Sequence, residues 1–325
     1  MKSRKKQIIF LTAVVIFVIA AFIFWIIKSK EDPYSNEYKE NERNDVVVYG
    51  GKEYKYNDHL SNYLFLGIDQ REEVDKYEGD AGQADAIYLL SYDRAKNTLK
   101  CLAIPRDTIA NIHVFSRSGA DLGYSKDHIN IQYAFGDGKD KSCQLMKEAV
   151  SEMLYGVPIQ GYCSLHMDGI PLIAKVLGGV EVVVPNNTLE QVNPEFKEGA
   201  TVTITEANAE QFVRYRDITV HQSAITRMER QKVFLKACAE KAKKQFEKDS
   251  EIVVNMQETL KPYMVTNIGN DVFAKLLQAT FDFERKIQDI PGKKVDGTSF
   301  DEYHIDEDQL YELILQLFYE EVRDD

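Results

Sequence analysis

The sequence lacks an excess of positive charge outside its N-terminus. Six of the 40 Lys and Arg residues lie within the first 30 residues, which leaves 34 against 52 acidic residues and a formal charge of about −18 for residues 31–325. Binding to a nucleic-acid backbone needs basic patches that displace condensed counterions. The composition therefore excludes nucleic acid as a partner of this part of the chain, and with it a role as a DNA-binding regulator.

Cysteine is also scarce. Only Cys101, Cys143, Cys163 and Cys238 are present, widely spaced, with no CxxC pair and no His cluster beside them, and this pattern argues against a zinc site. Four cysteines allow three disulfide connectivities, between which the sequence does not choose. Buried free thiols are an equal alternative. Internal repeats and low-complexity tracts are absent as well.

One long apolar run is present, from Ile8 to Ile27, with Thr12 as its single polar residue. A 20-residue helix spans about 30 Å, enough to cross the core of a bilayer. Basic residues without acids precede the run, whereas Glu31 and Asp32 follow it closely. We therefore expect a single-pass anchor in the cell membrane, with a cytoplasmic N-terminus and residues 31–325 extracellular. The alternative is a cleaved signal peptide, whose apolar region is normally shorter and ends in a small-x-small site.

The remaining sequence predicts one large domain. Short apolar runs bounded by turn residues predict strands, and apolar residues at helical spacing predict helices between them. Interleaved strands and helices indicate an α/β (α+β mixed) fold, with a mixed central β-sheet flanked by helices. The expected segments are a cytoplasmic tail (1–7), a transmembrane helix (8–27), an extracellular stalk (28–58), a core (59–246) and a C-terminal portion of the same domain (247–325).

Acidic and arginine side chains stand at the ends of predicted strands. Asp69 follows the first strand of the core, and Asp85 precedes the second. Arg106 and Asp107 follow the third strand, after Pro105, which restricts the direction in which the chain leaves it. A single Asp at a strand end is more often a turn or cap residue than a ligand. Two such acids beside an arginine indicate instead a site for a divalent cation and a phosphate group.

More arginines follow in the second half of the core. Arg214 and Arg216 are two residues apart, which suits the frayed end of a helix, and Arg227 and Gln231 are four apart on one helical face. Guanidinium groups form planar, bidentate hydrogen bonds with phosphate oxygens. The ordinary alternative is that such residues are solvated, with Arg230 paired to acids on its own helix. Together with the strand-end acids, they indicate a phosphoryl-transfer site.

The order of these elements resembles the LytR-CpsA-Psr family of membrane-anchored cell-envelope phosphotransferases. The segments that carry the resemblance are Leu66-Gly67-Ile68-Asp69-Gln70-Arg71, Ala84-Asp85-Ala86-Ile87, Pro105-Arg106-Asp107-Thr108, His128-Ile129-Asn130, Tyr133-Ala134-Phe135-Gly136, Leu177-Gly178-Gly179-Val180, Val213-Arg214-Tyr215-Arg216 and Arg227-Met228-Glu229-Arg230-Gln231. They span about 170 residues of this sequence and follow an N-terminal anchor typical of the family.

The resemblance implies a function and a set of site residues. It implies transfer of a glycopolymer, with its phosphate, from undecaprenyl pyrophosphate in the membrane to a hydroxyl of peptidoglycan, and an apolar channel between sheet and helices for the lipid tail. Asp69 and Asp85 would hold magnesium, with manganese as the alternative, and Asp69 or Asp107 would act as base. The implied catalytic residues are Asp69, Asp85, Arg106 and Asp107. The implied pyrophosphate ligands are Arg106, Arg214, Arg216, Arg227 and Gln231.

Two departures from the family pattern leave other functions open. The family commonly has Arg-Ser-Asp-Thr where this chain has Gln83-Ala84-Asp85-Ala86, and an Asp where this chain has Ala224. These departures favour a non-catalytic binder of polyprenyl (pyro)phosphate as the first alternative. A polyprenyl pyrophosphatase is the second, because water would replace the sugar hydroxyl at the same site. The polymer and the acceptor sugar stay open.

Overall fold

The computed structural model describes residues 46–76, 81–116, 118–217, 223–281, 287–297 and 300–322. The predicted cytoplasmic tail (1–7), the transmembrane helix (8–27) and the stalk up to residue 45 lie outside these ranges. Within them, no helix combines the length and the apolar character needed to cross a membrane.

Sixteen strands occur in the described residues. They are β1 (Val47–Tyr49), β2 (Lys52–Tyr56), β3 (Leu60–Ile68), β4 (Ala84–Asp93), β5 (Thr98–Ile104), β6 (Ile109–Phe115), β7 (Asp121–His128), β8 (Gly161–His166), β9 (Val180–Val183), β10 (Thr201–Ile204), β11 (Met264–Thr266), β12 (Thr280–Phe281), β13 (Gln288–Asp289), β14 (Gly292–Asp296), β15 (Asp301–Ile305) and β16 (Tyr319–Glu321).

Seven α-helices and four short 3₁₀ helices connect the strands within the same ranges. The α-helices are α1 (Asp140–Met153), α2 (Gly169–Val176), α3 (Ala209–Arg214), α4 (Ser223–Phe246), α5 (Glu251–Leu260), α6 (Asn270–Gln278) and α7 (Glu307–Phe318). The 3₁₀ helices are Ile129–Phe135, Asn187–Leu189, Pro194–Phe196 and Lys261–Tyr263.

The central sheet has the strand order β11–β8–β3–β4–β5, and β12 and β13 both pair with the outer edge of β5. Strand β3 runs antiparallel to β4 and parallel to β8. Strands β12 and β13 run parallel to β5. The mixed central sheet expected from interleaved strands and helices is therefore confirmed.

One face of this sheet forms the main core. Along β3, successive side chains alternate between the two faces, and Leu64, Leu66 and Ile68 are almost completely buried on one of them. They belong to a cluster that includes Met146 of α1 and Ile314 of α7. Burial of this continuous apolar surface is the main contribution to the stability of the fold.

The opposite face of the sheet is apolar but less completely covered. Tyr63, Phe65 and Leu90 lie on it, and each is only partly buried. Met228 of α4 and Leu276 of α6 pack against this layer. An apolar surface therefore lies between the central sheet and helices α4 and α6 without the dense packing of the main core.

Residues 46–58, which the sequence assigned to a stalk, contain strands that pair with the C-terminus. Val47–Tyr49 form β1, which pairs with β2, and β2 pairs with β16. Helix α7 ends at Phe318. The reason is that Tyr319–Glu321 extend to form β16 beside β2.

The C-terminal portion, residues 247–325, supplies strands at both edges of the central sheet. Strand β11 pairs with β8, and β12 and β13 pair with β5. The described residues of this portion form one compact unit with those from Val46 onward.

All four cysteines are buried and free. Burial raises the pKa of the Cys101, Cys143 and Cys163 thiols to about 12. The sequence left both disulfides and buried free thiols open, and the structure has buried free thiols.

Candidate active site

Asp85 occupies a β-bulge at the start of β4. Gly67 of β3 pairs with Ala86, whereas the next residue, Ile68, pairs with Ala84. Asp85 is thus the extra residue on its strand. A bulge of this kind interrupts the alternation of side chains and redirects the extra one, and bulges are frequent next to active sites.

The bulge keeps a carboxylate out of the main core. By regular alternation, Asp85 would point to the same face as Ile87, which is 1% exposed in that core. Instead the two oxygens of Asp85 form ion pairs with two arginines, Oδ1 with Arg106 Nη1 and Oδ2 with Arg227 Nη1 at 2.9 Å. Asp85 therefore joins an arginine from the end of β5 to one from α4.

Arg106 is oriented by three acceptors. Besides Asp85, its Nε pairs with Asp107 Oδ1 at 3.0 Å, and its Nη2 donates to Gln83 Oε1 at 3.2 Å. The same Gln83 oxygen accepts a hydrogen bond from Asn130 Nδ2 at 2.9 Å. The sequence did not assign Gln83 or Asn130 to the site, although both lie in segments compared with the family pattern. Burial lowers the pKa of Arg106, opposed by the charge of Asp107.

Arg227 is buried, at 5% exposed, and incompletely paired. Its Nε and Nη2 atoms have no hydrogen-bond partner among the described residues. Burial lowers the pKa of Arg227, and the charges of Asp107 and Asp69 oppose that change. Arg side chains nevertheless stay charged in proteins. Buried charged donors without acceptors are costly, so these two nitrogens are candidate donors to an anionic ligand, which would need the site to open because neither atom is accessible to solvent here.

Arg214 and Arg216 lie where α3 ends. Arg214 is its last residue, with Nη1 at 3.2 Å from Glu210 Oε1 and Nη2 at 3.9 Å from Asp69 Oδ1. Arg216 follows the helix, and its buried Nε also lacks a partner in the part of the chain that is described. Glu210 pairs with Arg71 as well, a link that the sequence pattern did not predict. The structure thus brings Asp69 and Arg214 together at the end of β3.

Arg230 does not lie on a solvated helix face, the ordinary alternative for its position. It is 1% exposed and donates four hydrogen bonds. Nε donates to the Phe212 carbonyl at 2.8 Å and Nη2 to the Tyr215 carbonyl. Nη1 donates to Asn186 Oδ1 at 3.3 Å and to Thr188 Oγ1.

These bonds make Arg230 a positioning residue. They fix the backbone of the segment that carries Arg214 and Arg216, one turn of α4 away from Arg227. Burial, followed by the nearby charge of Arg227, lowers the pKa of Arg230 to about 10. One arginine of the Arg-x-x-Arg pair therefore faces the candidate phosphate site, and the other supports it.

Gln231 has a mixed role. Its Nε2 donates to the Val213 carbonyl at 3.3 Å, which ties α4 to α3. Its side chain also lines a narrow pocket that Asp85, Arg106 and Asp107 line as well. One of the two amide hydrogens is therefore engaged with backbone, and the predicted role of Gln231 as a phosphate donor would use the other.

The same pocket contains apolar side chains from the sheet and from α4, including Tyr88, Ile225 and Met228. These three residues belong to the apolar layer on the less covered face of the sheet. The pocket volume is about 10 Å³, close to the minimum for one water molecule. The expected lipid channel stays a prediction, because the pocket at this apolar layer is too narrow for an isoprenoid chain.

The two acids predicted to hold magnesium lie on neighbouring strand ends. The Asp69 amide donates to the Gln83 carbonyl at 2.9 Å, while both oxygens of Asp85 are engaged by arginines. Across the described ranges, no group of three His, Cys, Asp or Glu side chains surrounds a potential metal position. Magnesium often binds through one or two carboxylates and completes its shell with water and substrate phosphates. The donor set fits that kind of site and does not fit an all-protein cage.

The site geometry agrees with a comparison of the whole sequence. A family model described as the LytR_cpsA_psr family matches residues 22–318, which is most of the chain. The chain belongs to the LytR-CpsA-Psr family. The resemblance drawn from the strand-end acids and the arginine pairs is therefore confirmed.

Similar members of the LytR-CpsA-Psr family include curated transferases. A polyisoprenyl-teichoic acid–peptidoglycan teichoic acid transferase, TagV of Bacillus subtilis, is 27% identical over 187 residues, covering 55% of this chain and 42% of that protein. TagU of Bacillus mycoides, with the same descriptive name, is 34% identical over 155 residues, covering 47% and 43%. The matched region thus spans less than half the length of these relatives.

Solved structures share the LytR-CpsA-Psr fold over most of the chain. TagT bound to LI-WTA has a TM-score of 0.59 and 21% identity, covering 81% of this chain and 92% of that one. TagV of B. subtilis has a TM-score of 0.60 and 24% identity, covering 80% and 96%. A Streptococcus agalactiae protein, gbs0355, has a TM-score of 0.63 and 17% identity, covering 81% and 90%. At these identities the comparison supports the fold.

Two residues that depart from the LytR-CpsA-Psr pattern, Gln83 and Ala224, lie at the candidate site. Gln83 stands where the family commonly has Arg, and its oxygen accepts hydrogen bonds from Arg106 and Asn130. An arginine only donates, so it would not form these bonds. Ala224 is buried at the start of α4 and lines the narrow pocket.

Proposed function

We propose that this protein is a membrane-anchored phosphotransferase. It would transfer a glycopolymer, with the phosphate attached to it, from polyprenyl pyrophosphate to a hydroxyl of peptidoglycan. The observation that carries the proposal is the buried Arg227, which has two guanidinium nitrogens without a partner among the described residues. A pyrophosphate would supply the missing acceptors. The transferase names of the curated relatives support a teichoic acid or related wall polymer as the donor.

Pyrophosphate binding would exchange the partners of the arginines. Arg106 and Arg227 both pair with Asp85 in this structure. A pyrophosphate carries more negative charge and more oxygens than one carboxylate, so it would compete with Asp85 for both guanidinium groups. Arg214 and Arg216 would bind further oxygens from the end of α3. Binding of the donor would thereby release the Asp85 carboxylate.

Release of Asp85 supports the assignment of the metal ligands. Asp69 and Asp85 would hold a magnesium ion, or manganese as the alternative, together with substrate oxygens. A bound divalent ion neutralises charge on a transferred phosphate and on its leaving group. This assignment predicts that the metal and the donor lipid bind cooperatively, because the donor removes the cations that now occupy Asp85.

The reaction would be a displacement at the phosphorus that carries the polymer. The acceptor hydroxyl oxygen forms a new bond to this phosphorus, and the bond to the bridging oxygen of the pyrophosphate breaks. The polyprenyl group leaves as its monophosphate, and the hydroxyl proton passes to a carboxylate, Asp107 or Asp69. In support of Asp107, its ion pair with Arg106 holds the carboxylate beside the proposed phosphate-binding arginines. Those arginines would orient the transferred group.

The lipid part of the donor would lie on the less covered face of the central sheet. Tyr63, Phe65 and Leu90 leave apolar surface there between the sheet and helices α4 and α6. This layer contains Tyr88 and Met228, which also line the pocket beside Arg106. The proposed anchor over residues 8–27 would keep the domain at the outer leaflet, where membrane lipids of this kind are accessible.

A non-catalytic lipid binder is the second candidate. It would retain the arginines and the apolar layer but would not transfer the polymer, and the departures at Gln83 and Ala224 favour it. A pyrophosphatase would use the same site with water as the acceptor. The three functions differ in their products. A transferase yields polymer attached to peptidoglycan, a binder leaves the bound donor unchanged, and a pyrophosphatase releases free polymer phosphate.

The test is to purify the full chain in mild detergent and to analyse co-purifying lipids by mass spectrometry. Wild type should carry polyprenyl phosphate or pyrophosphate, and Arg227→Met should not. Lys236→Met is a matched control, because Lys236 lies on the same helix but is solvent-exposed and paired with Glu240. Incubation with donor lipid, peptidoglycan and magnesium should then yield peptidoglycan-linked polymer. Wild type that neither carries nor takes up such lipid would contradict the proposal.

A further inference from the structure

The β6–β7 hairpin is continuous with the candidate active site. Strand β6 begins at Ile109, two residues after Asp107, and its first residue pairs with His128 at the end of β7. Two residues further on, Asn130 donates to Gln83 in the site. The start of β6 and the end of β7 therefore lie beside the groups proposed to bind phosphate.

One face of the hairpin, its outer face, is partly exposed beside helix α1, where Asn111 Nδ2 donates to Glu152 Oε1 at 2.8 Å. Ala110 and Ile112 of β6 are 4% and 1% exposed, so their face packs against the protein. Because side chains alternate along a strand, Asn111 and His113 lie on the opposite face, and His113 is paired with Tyr124 across the hairpin. None of these residues has a role in the phosphate site.

The distal part of the outer face carries stacked rings. The His113 ring lies 4.3 Å from the Phe115 ring and 4.7 Å from the Tyr124 ring, with an interplanar angle of 18° to the latter. Tyr124 is 64% exposed, although it stacks on His113. Hydrogen-bonding groups surround the rings: Asp121 bonds His113 Nε2 at 2.8 Å, and Lys141 Nζ lies 4.8 Å from the centre of the Phe115 ring.

A second aromatic pair lies at the base of the hairpin. The ring of Phe300, which is 74% exposed, contacts the His128 ring edge-on at 6.3 Å. Between the two aromatic sites, Asn111 and Lys126 form a polar cross-strand pair. The outer face therefore presents aromatic, polar and again aromatic side chains from its base to its distal part.

We infer that this outer face binds the glycan strand of the acceptor. A pyranose ring has a face of C–H groups that packs on the negative face of an aromatic ring, while its hydroxyl and acetamido groups need polar partners nearby. Aromatic sites separated by a polar pair match a chain of sugars. Roughly 20 Å of extended strand separates Asp107 from His113, so the site would hold sugars several units away from the one that reacts.

The surrounding charges favour a glycan over a membrane surface. Glu148, Glu152 and Asp121 all act on the Tyr124 hydroxyl and, after burial, raise its pKa. Anionic lipid headgroups attract basic segments and are repelled by a group of acids. The identification of the glycan as peptidoglycan rests on the proposed function, whereas the existence of a glycan site does not.

The inference is tested with the full chain in detergent and two probes: peptidoglycan sacculi stripped of attached polymers, and a soluble oligomer of β-1,4-linked N-acetylglucosamine. Tyr124→Ala should weaken binding of both probes about tenfold, and Tyr124→Phe, which keeps the ring, should bind like wild type. Val48→Ala is the control, because Val48 is also largely exposed, at 67%, but lies on β1 in a different sheet and has no aromatic ring. Its binding should be unchanged.

Three outcomes would overturn the inference. The first is that Tyr124→Ala binds the probes as well as wild type does. The second is that Val48→Ala loses as much binding as Tyr124→Ala. The third is that Tyr124→Ala binds anionic vesicles more weakly than wild type but binds the sacculi equally well. Binding of undecaprenyl pyrophosphate, measured in parallel, should be the same in wild type and Tyr124→Ala. If wild type fails to bind this lipid but still binds sacculi through Tyr124, the proposed phosphotransferase function fails and the glycan site stands.

Discussion

Replacing Arg227 and Arg230 separately with Met should separate ligand binding from stability. The two arginines are three residues apart on α4 and both are almost fully buried. Methionine keeps a similar length and an apolar stem but removes every hydrogen-bond donor. Any difference between the two variants must therefore come from the partners of each guanidinium group.

Arg230→Met should destabilise the fold. It removes hydrogen bonds to the Phe212 and Tyr215 carbonyls and to the side chains of Asn186 and Thr188. Leaving a buried acceptor unsatisfied costs about 1–3 kcal/mol, so two carbonyls together cost about 2–6 kcal/mol. With about 2–4 °C per kcal/mol for a domain of this size, the melting temperature should fall by roughly 10 °C.

Arg227→Met should leave stability nearly unchanged. Asp85 would lose one cation but keep its ion pair with Arg106, and two buried nitrogens without partners would disappear. Because these effects oppose each other, the free energy of unfolding should change by less than about 1 kcal/mol. Pyrophosphate binding should weaken by about 2–4 kcal/mol, which corresponds to roughly 30- to 1,000-fold.

Calorimetric melting of the full chain in detergent measures the stability of each variant. Titration with undecaprenyl pyrophosphate, at a temperature where both variants are folded, measures the affinity. The expected result is a cross-over: Arg230→Met loses mainly stability, and Arg227→Met loses mainly affinity. Equal losses of stability in the two variants, or full affinity in Arg227→Met, would refute the division of roles between them.

Other expected outcomes concern the acids, the Gln83 contact and pH. Asp85→Asn should retain or strengthen metal-free binding of the pyrophosphate lipid, because a competitor for the arginines is lost, while abolishing the effect of magnesium; titrations with and without magnesium check this. Asn130→Ala should raise the KM for the donor several-fold with little change in melting temperature, because Gln83 would hold Arg106 less firmly; unchanged kinetics would count against this role. Burial lowers the pKa of His166 below its ordinary 6.5, and its Nδ1 donates to the Glu72 carbonyl at 2.7 Å. The unfolded chain therefore binds the proton more readily, so the stability contributed by neutral His166 is full above about pH 6.5 and declines as the pH falls towards the lower folded-state pKa. His166→Phe should flatten this decline in a pH series of melting curves, and an equally steep decline would exclude His166 as its source.

Local sequence was sufficient for most of the central strands and for the choice of candidate site residues. Apolar runs predicted the central strands because the pattern of burial along a strand is a local property. The acids and arginines at strand ends were identifiable because turns there expose polar side chains. The β6–β7 hairpin was not predicted, since β7 consists largely of exposed polar residues and carries no apolar alternation.

The position of Asp85 required the tertiary structure. A strand pattern alone places it on the same face as Ile87, inside the main core. The bulge that redirects it depends on how β3 and β4 align, where Gly67 and Ile68 pair with Ala86 and Ala84. Pairing register is a relation between two segments, so the sequence of either strand by itself does not contain it.

The sequence by itself determined the chemistry of this protein: an acidic domain, arginines suited to phosphate, and acids suited to a divalent cation. The family resemblance implied a phosphate-binding role for Arg227 and none for Arg230, and only the tertiary structure supplied the physical reason. Arg227 and Arg230 have the same side chain and lie one turn apart on the same helix. Their roles differ because the end of α3 supplies carbonyl acceptors to Arg230, whereas Arg227 faces Asp85 with two nitrogens left unpaired by the described residues. Helical periodicity specifies the direction of each side chain, but the groups it meets come from distant parts of the chain.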